Sequence, residues 1–106
     1  MSILNIGPGP FPRLAKEAAR YRRLAEDLEP IARGIHPDEM LLKDSPILYG
    51  WKFFFRPVPH LTGIVHGHPI LSDGRMCYTS QLITLNPDRN YARTLSRFYR
   101  LGIRED

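Results

Sequence analysis

"GIVHGHPILSDGRMCYTS", residues 63–80, is the stretch on which the reading of the chain turns. Its Asp73-Gly74 pair lies between two β-prone runs. Such a pair signals a hairpin because both central residues of a type I′ turn take positive φ. A two-residue loop there sets Ser72 against Arg75, Ile70 against Cys77, His68 against Thr79, His66 against Gln81 and Ile64 against Ile83. Side chains alternate along a strand, so a polar patch of His66, His68, Thr79 and Gln81 is predicted, with Cys77 on the same face. Pro69 has no N–H to give a ladder and weakens the pairing around it.

The same residues raise the question of a metal. Zinc takes three or four Cys, His or carboxylate ligands. His66, His68 and Cys77 make a partial set that His36 or His60 would have to complete from elsewhere. The patch therefore reads first as a hydrogen-bonded hairpin surface, and no metal or cofactor is assigned. Cys77 as a nucleophile has only His68 diagonally beside it, and a buried, inert cysteine is the commoner case. "GPGP" (residues 7–10) follows no strand and carries no Lys-Ser/Thr, so it is not a phosphate loop. No catalytic residue is assigned, and the expectation is a non-enzyme.

Towards the C-terminus, β segments are expected at about 61–70, 75–85 and 91–101, with Asn86–Asn90 joining the last two. "YARTLSRFYRLG" (91–102), read as one strand, puts Tyr91, Arg93, Leu95, Arg97, Tyr99 and Leu101 on one face. Arginines interleaved with tyrosines supply cations for phosphate and flat rings for bases. Arg93, Arg97, Tyr99, Arg100 and Tyr91 are therefore the candidate nucleic-acid or partner-binding residues. The plainer reading lays the arginine stems over apolar surface with their heads in water.

Towards the N-terminus, "LYGWKFFFR" (48–56) is the most strand-like segment, with Trp51, Phe53 and Phe55 sharing a face at the centre of a sheet. The prolines of "RPVP" then interrupt pairing. Between Pro12 and Gly34, Leu14, Ala18, Tyr21, Ala25, Leu28 and Ala32 recur at alternating steps of four and three, which predicts an amphipathic helix. Pro30 is expected to kink or break it near Glu29. His36–Leu42 reads as a short second helix ended by "KDSP", and residues 1–10 as a flexible leader.

The 106 residues fit one domain. Charged residues make up 25% and apolar ones 42%, the values of an ordinary globule. No apolar run approaches the roughly 20 residues of a membrane span, and the N-terminus has no basic, signal-like start. One cysteine cannot form an internal disulfide, which suits a reducing cytoplasm. The net charge of +4 gathers at the two ends, and the five cations after residue 88 are all arginine. Arginine suits phosphate, carboxylate and aromatic partners.

The run from Arg56 to Gly102 contains Gly67-His68-Pro69, Asp73-Gly74, Thr79-Ser80 and Thr94-x-Ser-Arg-x-Tyr-x-Leu-Gly102. It resembles a family of short uncharacterised proteins, mainly alphaproteobacterial, over those residues and not over the N-terminal helix. The resemblance implies a small β-rich module following a helix, in a bacterial or mobile-element setting, and transfers no activity.

The expected fold is α+β. A long and a short helix (11–46) pack on a curled, mostly antiparallel sheet of about four strands (47–102) that approaches a small SH3-like barrel. The expected function is a non-enzymatic binding module contacting nucleic acid or a nucleoprotein. A protein-interaction or inhibitor module of a bacterial or phage-like system stands second. A metal-binding protein using His66 and His68 stands third.

Overall fold

The computed structural model describes residues 3–104 and forms two compact units. One holds residues 12–55; the other joins the described residues up to Phe11 with those from Arg56 onward. The fold is α+β, with helices in the first unit and strands in the second.

In the helical unit, α1 spans Pro12–Ala32 and α2 spans Glu39–Asp44. Pro12 opens α1, where a missing N–H costs nothing. The helix runs through Pro30 instead of breaking at Glu29. So near the end, proline removes a single hydrogen bond, and the C-terminus closes independently of it. Ile35 N–H donates to Pro30 O and Gly34 N–H to Ile31 O, with Gly34 at φ 84°. That is a Schellman cap, and its left-handed position favours glycine. α2 starts later than expected because Asp38 is its cap, accepting the Leu41 N–H at 2.9 Å.

The aromatic segment does not form the central strand. Trp51, Phe53 and Phe55 are 74%, 82% and 87% exposed, and the helical unit containing them has no strand. The Phe53 and Phe55 rings stack nearly parallel, 6.1 Å apart. Strand propensity expresses fit to a pleated, half-buried surface, and without a ladder partner it produces no strand.

Among the described residues, the β unit carries five short strands in two sheets, where one sheet of about four was expected. β1 (Thr62–Val65) pairs antiparallel with β2 (Arg75–Tyr78). β3 (Leu82–Asn86), β4 (Tyr91–Thr94) and β5 (Phe98–Arg100) form an antiparallel sheet in that order. A 3₁₀ turn, Pro87–Arg89, leads into β4 and ends at Asn90 in the left-handed region.

The expected hairpin exists, but with another register. Gly63 faces Cys77 and Val65 faces Arg75, leaving residues 66–74 as a long loop. Gly74 has positive φ and Asp73 does not, so the type I′ turn does not form. The loop instead satisfies its own amides. His68 Nδ1 accepts from both Ile70 and Leu71 N–H at 3.0 Å, and Asp73 Oδ1 accepts from Gly67 N–H at 2.8 Å. Amides held this way, beside an N–H-less Pro69, have nothing to offer a ladder.

Over its described part the leader pairs with β3. Leu4 bridges Leu85 in parallel, with Asn5 N–H donating to Leu85 O and Leu85 N–H to Ile3 O. Asn5 Nδ2 donates to Thr84 Oγ1 at 2.6 Å, and Asn86 Nδ2 to Gly7 O at 3.0 Å. These bonds cover the edge of β3 that β4 leaves open. Met1 and Ser2 lie outside the described residues. The buried set mixes Val65, Cys77, Leu82 and Ala92 with polar Asn5, Thr84, Asn86 and Thr94.

Asn5→Ala is expected to lower stability by about 1–2 kcal/mol, because Thr84 loses a buried partner. It should also speed hydrogen exchange of the Leu85 amide. Urea unfolding and exchange mass spectrometry measure the two effects, and a wild-type result in both would mean this edge is not held as described.

Candidate nucleic-acid interface

β4 and β5 form a hairpin around Leu95-Ser96. Thr94 N–H donates to Arg97 O at 3.0 Å, and Thr94 Oγ1 accepts from the Ser96 and Arg97 amides. Ser80 Oγ bonds Ser96 Oγ at 2.8 Å, and Leu95 N–H donates to Gln81 O. The run expected as one strand therefore turns back on itself.

This turn rearranges the faces. Tyr91 pairs with Arg100, Ala92 with Tyr99 and Arg93 with Phe98. Directly opposed residues on antiparallel strands share a face. Tyr91, Arg93, Phe98 and Arg100 therefore lie on one side, while Ala92, Thr94, Arg97 and Tyr99 lie on the other. Of the candidate residues, the structure brings Tyr91, Arg93 and Arg100 together and sends Arg97 and Tyr99 to the opposite face. The reading along one continuous strand missed Phe98. Recognising Leu95-Ser96 as a two-residue turn would have found it, since each odd-numbered residue of β4 then faces an even-numbered one of β5.

On the first face, the Tyr91 and Phe98 rings meet edge to face, 6.0 Å apart at 72°. The Arg93 guanidinium lies 5.2 Å from the Phe98 ring centre, a cation–π contact that orients it along the sheet. An open groove of about 510 Å³ is lined by Asn90, Tyr91, Phe98, Arg100 and Tyr99 of the edge strand. A second groove of about 270 Å³ is lined by Gly7, Pro8, Phe11, Asn86, Arg89 and Tyr91. Tyr91 belongs to both, so aromatic and arginine side chains continue from β5 across to the N-terminal segment. Asn86 is 1% exposed, and its Oδ1 has no hydrogen-bond partner among the described residues. Chemically the face offers rings for stacking, guanidinium groups for phosphate or carboxylate, and a buried acceptor under the second groove.

On the opposite face, Tyr99 Oη lies 3.9 Å from Cys77 Sγ, and its ring lies 6.4 Å from that of His68. Burial first, then the hydrogen bond and charge of Cys77, push the Tyr99 phenol above its ordinary value of 10.0, while Arg97 pulls the other way. Arg97 Nε is buried without a hydrogen-bond partner among the described residues.

The polar patch of His66, His68, Thr79 and Gln81 does not assemble. His66 and His68 lie in the loop, and His68 Nδ1 is occupied by amides. It is His60 that reaches Thr79, its Nδ1–H donating to the Thr79 carbonyl at 2.9 Å. Thr79 Oγ1 accepts the Leu61 amide, and Gln81 offers its carbonyl to Leu95. Among the described residues, no three His, Cys, Asp or Glu side chains form a group able to hold a metal ion. Nor is any described helix long and apolar enough to cross a membrane.

A family model of unknown function, DUF6634, matches residues 19–106. The chain belongs to this family. The match is wider than the resemblance over 56–102 and begins inside α1, so the helical unit is part of what DUF6634 describes. Neither a curated protein nor a solved structure matches the chain.

The raised Tyr99 pKa has a definite sign for stability. The neutral phenol is favoured in the fold, so stability is full below the unfolded value near 10 and is lost as pH rises through the folded value. Ultraviolet titration should find Tyr99 ionising above 10, lower in Cys77→Ala and higher in Arg97→Ala.

Proposed function

We propose that the protein is a non-enzymatic binding module that engages single-stranded nucleic acid, alone or within a nucleoprotein, through the face carrying Tyr91, Arg93, Phe98 and Arg100. The observation that supports this most is the juxtaposition of the Tyr91 and Phe98 rings with the Arg93 guanidinium on one open sheet surface. Stacking tolerates any base because every base has a π-face, and guanidinium groups follow the phosphates. Arg89 and Phe11, beside the second groove, lengthen the track. The single cysteine and the absence of any span-forming helix among the described residues fit action in the cytoplasm.

A second reading, a protein-interaction or inhibitor module, is favoured by the exposed aromatics Tyr49, Trp51, Phe53 and Phe55. Contiguous exposed apolar surface is what partner proteins bury. A pull-down from native lysate with and without nuclease separates the two. Partners lost on nuclease treatment support the first, and a nuclease-resistant partner lost in Trp51→Ala supports the second.

Fluorescence anisotropy with labelled single-stranded RNA and DNA is expected to show binding that weakens steeply with salt. Arg93→Ala and Arg100→Ala should each reduce the salt slope by about 1. Phe98→Ala should cost about 1–3 kcal/mol of binding. Cys77→Ala, at a residue that contacts Tyr99 from the opposite face and lines neither groove, should bind like the wild type. No binding at low salt would sink the reading.

A further inference from the structure

The helical unit has a feature the sheet face does not explain. No described residue between 12 and 55 is buried, and the apolar stripe of α1 leaves Leu24, Leu28 and Ile31 between 41% and 51% exposed. The charges of α1 are also placed against its own dipole. Residues 12–23 carry Arg13, Lys16, Arg20, Arg22 and Arg23 against Glu17 alone, while residues 24–32 carry Glu26, Asp27 and Glu29 and no cation. The first turn has no acid and the last turn no base. A helix N-terminus is positive and its C-terminus negative, so this arrangement costs a lone helix stability.

Both oddities disappear if the partner is the same helix running the other way. We infer that α1 is a self-association surface, pairing antiparallel with α1 of a second copy of this chain. The stripe alternates large and small residues at heptad spacing, with Leu14, Tyr21 and Leu28 in one set and Ala18, Ala25 and Ala32 in the other. In an antiparallel coiled-coil pair the two sets face each other. A two-fold axis beside Arg23 sets Leu14 against Ala32, Ala18 against Leu28 and Tyr21 against Ala25 of the second copy. Every large side chain then meets an alanine, which lets the backbones approach closely without overpacking. The same reversal brings the net-positive half of each helix (12–23) alongside the partner's net-negative half (24–32) and aligns the two dipoles antiparallel, with Arg22 and Arg23 meeting their own copies only at the axis. A parallel pair has none of these: it sets large against large and cation against cation. Leu24 and Ile31 widen the seam on one flank. Pro30 perturbs only the outermost layer, Leu14 with Ala32. The inference stands apart from the proposed nucleic-acid face, which lies in the other unit.

Sedimentation equilibrium of the full chain should show a concentration-dependent monomer–dimer equilibrium that weakens in high salt. Ala25→Glu, which places a carboxylate against Tyr21 of the partner, should weaken association by about tenfold or more. An acidic variant, Arg20→Glu/Arg22→Glu, and a basic one, Glu26→Arg/Glu29→Arg, should each be more monomeric than the wild type. Mixing the two should restore a heterodimer, which unfolded variants would not do. Spin labels in a Cys77→Ser background test direction. Labels at residue 23 should lie level across the axis, and labels at residue 16 should be separated along it by about 21 Å, from 1.5 Å per residue. Monomer at every concentration overturns the inference, as does failure of the mixture to pair or equal label distances at the two positions.

Discussion

Satisfying buried hydrogen bonds with little apolar core is the constraint on which the β unit rests. Its buried residues are as much amide and hydroxyl as hydrocarbon, and buried polar groups hold a fold together only when paired. β3 is the centre of this arrangement. On one edge it bonds to β4; on the other, Leu85 O accepts the Asn5 amide, Leu85 N–H donates to Ile3 O, and Asn5 reaches Thr84. Thr94, fully buried, does the same at the other end by collecting the amides of the tight turn. Short strands survive here because side chains finish what the ladders leave undone.

The candidate face follows from that turn. Closing a hairpin with two residues, Leu95 and Ser96, decides which of the following side chains share a side with Tyr91 and Arg93. The outcome is a face of two rings and two guanidinium groups, and a reverse face where Tyr99 meets Cys77 and His68. The difference between the two faces is physical. The first face is open and charged, while on the second Tyr99 is partly desolvated enough to raise its phenol pKa.

The helical unit obeys a different logic. α1 is well capped by Gly34 and correctly patterned, yet its charges oppose its dipole and its stripe is not buried. Helices in proteins draw most of their stability from packing of the apolar face. A pattern that is poor for one helix and complementary for two antiparallel ones makes sense as a surface for association, in a family whose shared region takes in most of this helix.

Local chemistry in the sequence was enough to determine a long amphipathic helix from Pro12 and its glycine end, the α+β class, an antiparallel pairing of the segments before and after residues 66–74, and the clustering of arginine and aromatic residues after residue 88. Those are matters of periodicity, capping and turn preference within a few residues. Tertiary structure decided the registers, the loss of the Trp51–Phe55 strand, the docking of residues 3–7 on β3, and the exchange of Tyr99 for Phe98 on the candidate face. Each depends on which amides remain free to pair across the chain. His68 Nδ1, Asp73 Oδ1 and Thr94 Oγ1 settle that by capturing amides nearby, a choice that hydrophobic alternation does not record.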